Sequence, residues 1–303
     1  MKKIITIYIF ILSIGFSLQA GNLYLIANNG TTWSGQTAGN TGFASVKTVD
    51  LSQSGTNGTT AVTLADWLTD RGLSTPTYKV GGSGGSVGST FSSADQIWIA
   101  AGTYSITTAW TIGNKANTYG GFLGTETSVG SRSVSGNWIF ANETIIDGSG
   151  SSTNGITAGG TRTMTFDGLS LTGFTTYAIN AKAGMTIQNC RFYNNPSAPV
   201  FTYSNSSNSG TLTVQYCEFK NNTGAGNYSH AILTQTGALS VAPTLTVDIK
   251  NCTFDGNLNT SSTTTGASGA VYFWTNGGGA ALNHKVTNCT FLNNECMGLQ
   301  DLV

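Results

Sequence analysis

Arg191, Glu218, Lys220 and Asp255 are four of the few charged side chains in this sequence, and a shared phrase places them in equivalent slots. They flank a phenylalanine in Cys190-Arg191-Phe192-Tyr193, Cys217-Glu218-Phe219-Lys220 and Cys252-Thr253-Phe254-Asp255. On a strand, the residues on either side of that Phe point to the opposite face. Two outward columns result: Arg191, Glu218, Thr253, Thr290, then Tyr193, Lys220, Asp255, Leu292. Such a face carries the parts of a polysaccharide lyase. Lys220 or Arg191 would take the proton beside a uronate carboxylate, and Glu218 with Asp255 would hold Ca²⁺ against that carboxylate. The plainer reading, which we adopt, is two cross-strand ion pairs worth up to about 1 kcal/mol each. No catalytic residue and no cofactor is assigned, and the Ca²⁺-dependent lyase is kept as the alternative.

Other chemistry is weaker. Neither outward column sets two acids side by side, as a glycoside hydrolase requires. His230 and His284 are the only histidines and have no partner at zinc spacing. Gly-x-Ser-x-Gly occurs at 81–85 and 84–88, but in a Gly/Ser stretch rather than at a strand-to-helix elbow. Aromatic residues offer binding instead. Tyr272 and Trp274 should face away from Phe273, and an outward Trp274 beside Tyr203 would stack on sugars.

These residues are positioned by a repeat. The phrase recurs as Ile187-Gln188-Asn189-Cys190-Arg191-Phe192-Tyr193-Asn194-Asn195 and as Val214-Gln215-Tyr216-Cys217-Glu218-Phe219-Lys220-Asn221-Asn222. It returns as Ile249-Lys250-Asn251-Cys252-Thr253-Phe254-Asp255-Gly256-Asn257 and Val286-Thr287-Asn288-Cys289-Thr290-Phe291-Leu292-Asn293-Asn294. Cys and Phe alternate at period two, while the preceding aliphatic residue lies three positions from Cys, so the chain bends between them. Asn189, Asn251 and Asn288 suit a left-handed one-residue corner there. Asn195, Asn222, Asn257 and Asn294 mark the next corner. Uneven intervals between copies fit a fixed strand path with loops of free length. The pattern predicts an all-β chain, a right-handed single-stranded parallel β-helix of roughly seven coils with columns of like residues. The cysteines read as small buried hydrophobes in such a column, with Cys296 left over.

Composition agrees. Of 303 residues only 9% are charged, 13 basic against 13 acidic, which excludes a basic nucleic-acid footprint. The 40 Gly and abundant Ser, Thr and Asn are turn and strand vocabulary. Lys2, Lys3, an apolar run at 4–16 and Ser17-Leu18-Gln19-Ala20 have the layout of a secretory signal, predicting a leader at 1–20 and no membrane-spanning segment after its removal. Residues 21–93 read as a loop-rich capping region containing one short helix, capped by Thr63 with Asp66 three residues on and ended at Gly72. Residues 94–303 form the β-helix.

Four Phe-x-x-Asn copies, paired with small-Ala-Val/Ile as in Ser268-Gly269-Ala270-Val271, resemble the repeat of the polymorphic outer membrane proteins in the pectin-lyase-like superfamily. Asp95-Gln96-Ile97-Trp98-Ile99-Ala100-Ala101-Gly102-Thr103-Tyr104, Tyr119-Gly120-Gly121-Phe122-Leu123-Gly124-Thr125-Glu126 and Thr144-Ile145-Ile146-Asp147-Gly148 resemble opening coils of large bacterial surface β-helices. The resemblance covers about 94–294. It implies the fold and an outer-surface or secreted location in a Gram-negative bacterium, and it is silent on activity. The small-Ala phrase is degenerate at Ser229-His230-Ala231 and Ser197-Ala198-Pro199, and no sorting or barrel domain follows, so a chain truncated at its C-terminus is expected. The sequence therefore predicts an adhesin-like, glycan-contacting scaffold without catalysis. Its partners would be glycans or host or cell-surface proteins, contacted through Tyr203, Tyr272 and Trp274.

Overall fold

The computed structural model describes residues 21–28, 33–51, 63–70, 91–112, 116–135, 139–149, 154–158, 163–204, 209–224, 231–236, 244–260, 269–275 and 281–296. The expected leader at 1–20, Gly72, the Gly-x-Ser-x-Gly stretches, His230 and the terminal residues 297–303 lie outside them. The chain is all-β with parallel sheets and, among the described residues, two short α-helices, Ala38–Thr41 and Leu64–Asp70. No helix among the described residues is long and apolar enough to cross a membrane.

Three sheets dominate. The first has nine strands, in the order Ser45–Asp50, Asn22–Ala27, Gln96–Ala100, Asn117–Phe122, Met164–Asp167, Met185–Gln188, Gly210–Gln215, Thr244–Lys250 and Ala281–Thr287. The second has seven: Gly102–Ser105, Thr144–Asp147, Leu169–Thr172, Arg191–Tyr193, Glu218–Lys220, Thr253–Asp255 and Thr290–Leu292. The third has six: Trp110–Ile112, Ile156–Ala158, Ile179–Ala181, Val200–Ser204, Ile232–Thr236 and Val271–Thr275. From Gln96 onward the chain passes from first to second to third sheet, then re-enters the first one strand further along.

Like residues stack because equivalent strands pair in register. Phe192, Phe219, Phe254 and Phe291 form one column with successive ring centroids 4.8, 4.8 and 4.9 Å apart. Cys190, Cys217 and Cys252 are buried beside it as free thiols, each donating from Sγ to a backbone carbonyl two residues earlier. Burial first, and the neighbouring thiols second, push Cys217 well above the ordinary thiol range, which keeps it protonated and inert. The first corner is left-handed, with φ of 51°, 53° and 50° at Asn189, Asn251 and Asn288, and Tyr216 adopts 53° in the same slot. The second corner differs from the sequence reading. Its left-handed residues are Asn194, Asn221, Gly256 and Asn293, one position before the expected Asn. That frees Asn195, Asn222 and Asn257 to turn inward, where they are buried.

Within 21–93 the described residues include two strands of the first sheet. Asn22–Ala27 lies between Ser45–Asp50 and Gln96–Ala100, so the first sheet runs across the boundary expected near 93. Its Leu23 and Leu25 pack with Trp98 and Phe122 on one face, while Tyr24 and Ile26 join the main core on the other. A strand buried on both faces loses the alternation that announces strands, so this run escapes a period-two search. The expected helix is present. Thr63 Oγ1 accepts from Asp66 N at 3.1 Å, and Leu64, Trp67 and Leu68 are buried in the core beside Trp110–Ile112.

His284 faces inward opposite Val247, its ring 3.6 Å from that of Phe273 and its Nε2 3.4 Å from Thr234 Oγ1. Desolvation by burial lowers its pKa from the ordinary value. The unfolded state therefore binds a proton that the folded state refuses. Stability falls as pH drops below the unfolded imidazole value of about 6.5, toward the lower folded value. Urea midpoints measured across that window should decline in the native protein and decline less in His284→Phe.

Candidate functional site

The outward face of the second sheet carries the first candidate. The register places Arg191 opposite Glu218 and Lys220 opposite Asp255. Arg191 Nε lies 2.7 Å from Glu218 Oε2, and its NH1 lies 3.0 Å from Glu143 Oε1. Ser170 Oγ donates to the same Glu143 oxygen, and the guanidinium sits 5.3 Å from the Tyr193 ring centroid. Glu143 is the residue that sequence reasoning missed. It directly precedes Thr144–Asp147, outside the repeated phrase, and the pairing of that strand with Leu169–Thr172, and of Leu169–Thr172 with Arg191–Tyr193, brings it near Arg191. Lys220 and Asp255 behave differently. No ion pair within 4 Å joins them among the described residues, and Asp255 Oδ1 instead accepts from Asn293 Nδ2 at 3.0 Å.

This geometry constrains the chemistry. Desolvation opposes the charge on Arg191, but its hydrogen bonds and ion pairs with Glu218 and Glu143 outweigh it and raise its pKa. A guanidinium held this way stays protonated and does not serve as a base. Glu218, already capped by Arg191, lies diagonally from Asp255, with Thr253 directly opposite it. Ca²⁺ takes six to eight oxygen ligands. Among the described residues no three His, Cys, Asp or Glu side chains gather as a metal site. The cleft lined by Phe140, Glu143, Ser170 and Arg191 leaves only about 10 Å³ for the centre of a water-sized molecule, which admits one water and no sugar ring.

The outward face of the third sheet carries the second candidate. Val200, Ile232 and Val271 point into or against the core, so alternation turns their neighbours out. Tyr203, Gln235 and Trp274 share one outward column. Phe201, Leu233 and Tyr272 share the next, and Tyr177 stacks on Phe201 with centroids 4.3 Å apart. Tyr203, Tyr272 and Trp274 are half-buried, and Leu233, in the column of Tyr272, is fully buried. The sequence thus placed the three aromatics on one face. It did not foresee that Gln235 separates Tyr203 from Trp274, or that Tyr177 and Phe201 extend the patch. Flat rings around an amide on a sheet surface can stack on apolar sugar faces and hydrogen-bond their hydroxyls.

Comparison with family models, curated proteins and solved structures finds no match to this chain.

Proposed function

We propose that the chain is a right-handed, single-stranded parallel β-helix, related to the polymorphic outer membrane protein repeats. In this reading it is exported to the outer surface of a Gram-negative bacterium, where it contacts glycans without catalysing a reaction. The repeated passage through three parallel sheets supports the β-helix, and the right hand follows from the near-universal chirality of parallel crossovers. The observation that carries the glycan reading is the aromatic face of the third sheet, with Tyr203, Gln235 and Trp274 in one column and Tyr272 beside them. Rigid aromatic side chains lose little conformational entropy on binding, so repeated shallow contacts suffice for a polymer. The lyase reading finds less support, because Arg191 is locked between two carboxylates.

The test is a titration of the purified protein with neutral and anionic oligosaccharides, following tryptophan fluorescence and, in parallel, the ultraviolet absorbance of unsaturated uronate. Trp274→Ala should weaken binding about tenfold, equivalent to about 1.4 kcal/mol. No ultraviolet product should form. Unchanged affinity in Trp274→Ala would remove the aromatic face as the site, and an elimination product lost in Lys220→Ala would establish the lyase instead.

A further inference from the structure

Beside the second corner of the stack lies an open groove of about 450 Å³, within the size range of small-ligand sites. Gly173, Asn194, Pro196, Asn221 and Thr223 line it, and no charged side chain does. Asn194 and Asn221 are exposed, and neither amide has a hydrogen-bond partner among the described residues. Both are left-handed, with φ of 53°, a conformation that Asn and Gly tolerate best. The next residues in sequence, Asn195 and Asn222, are bolted into a buried hydrogen-bonded ladder, which holds the two free amides in place. Pro196 adds a rigid apolar surface to the lining.

We infer that this groove binds a neutral, hydroxyl-rich polysaccharide chain along the stack, with Asn194 and Asn221 reading successive sugars. An amide both donates and accepts, as a sugar hydroxyl does, so the two are matched without any charge. An anionic glycan would call for Arg or Lys at the groove, where charge-assisted hydrogen bonds form. Equivalent residues in adjacent strands repeat about every 4.8 Å, close to the advance per sugar of an extended pyranose chain. The inference rests on the glycan-contacting reading and adds a second contact surface and a ligand class to it.

The probes are cello-, xylo-, manno- and malto-hexaose, with hexagalacturonate as the anionic counterpart, each titrated calorimetrically into the full-length protein. The variant is Asn194→Gly/Asn221→Gly, which deletes both amides while keeping a residue that accepts the left-handed backbone. At least one neutral hexaose should bind more tightly than hexagalacturonate, and the double variant should lose at least tenfold in affinity with an unchanged circular dichroism spectrum. Unaltered neutral binding in the double variant that is lost in Trp274→Ala overturns the groove and leaves the aromatic face standing. Binding of hexagalacturonate alone overturns the neutral class. Silence from every probe overturns both the groove and the glycan reading.

Discussion

Asn222→Ala should destabilise the protein by about 3–5 kcal/mol, because one buried amide serves four partners at once. Its Oδ1 accepts from Asn195 N at 3.1 Å and Asn195 Nδ2 at 2.9 Å. Its Nδ2 donates to Phe192 O at 2.9 Å and to Asn257 Oδ1 at 2.8 Å. The same arrangement repeats above and below: Asn195 Oδ1 receives Phe174 N, and Asn257 passes its own N–H and amide to Asn294. Truncation would strand Asn195 N in a site sealed from water and would take one hydrogen bond each from Phe192 O, Asn195 Nδ2, which keeps Leu171 O, and Asn257 Oδ1, which keeps Asn222 N. A buried group that loses its hydrogen bond keeps its desolvation cost. Urea unfolding followed by circular dichroism checks the value, and a loss below about 1 kcal/mol would mean that water replaces the ladder. Asn222→Asp, similar in shape but without donors when ionised, should be no milder. The adjacent Asn221→Gly should be close to neutral, which separates the ladder from general sensitivity of this corner.

Arg132→Met is the second large effect, at about 3–5 kcal/mol, since it leaves a buried carboxylate without its cation. Arg132 and Asp167 are each about 5% exposed and 3.2 Å apart. The guanidinium also donates to Gly120 O and Val129 O at 2.8 Å and lies 4.3 Å from the Phe140 ring centroid. It therefore ties Val129 and Phe140 to the outer face of the first sheet. Asp167 keeps donors from Gln188 and Asn189, which moderates the loss. Arg132→Met/Asp167→Asn removes the stranded charge and should recover most of the stability, a sign test that a thermal melt of all three proteins decides. If the double variant melts no higher than Arg132→Met, then the cost lies in lost packing and backbone contacts of Arg132, not in the unpaired carboxylate.

The division between what was legible and what was not follows from how local each signal is. Strand and corner positions from about 187 onward were readable because they depend on neighbouring residues. Period-two alternation turns Cys190 and Phe192 to one side, and left-handed tolerance puts Asn189 at a bend. Parallel columns then follow from repetition alone, which is why Arg191 could be set over Glu218 and Tyr203 on the same outward face as Trp274. The displacement of the second corner by one residue was not legible, because two successive Asn satisfy a turn equally well in sequence. Only burial decides that the second becomes a ladder rung and the first a free amide.

By itself, then, the sequence determined the all-β character, the stacked phrase and the outward charged and aromatic columns, since each is written in residues a few positions apart. The tertiary structure alone decided that Glu143 reaches Arg191, that Asp255 meets Asn293 and not Lys220, that Asn22–Ala27 joins the first sheet, and that Arg132 meets Asp167 and Phe140. Those contacts join distant, non-repeating segments. They arise because the closing core leaves one place for each buried charge and apolar strand, and no periodicity in the sequence records that place.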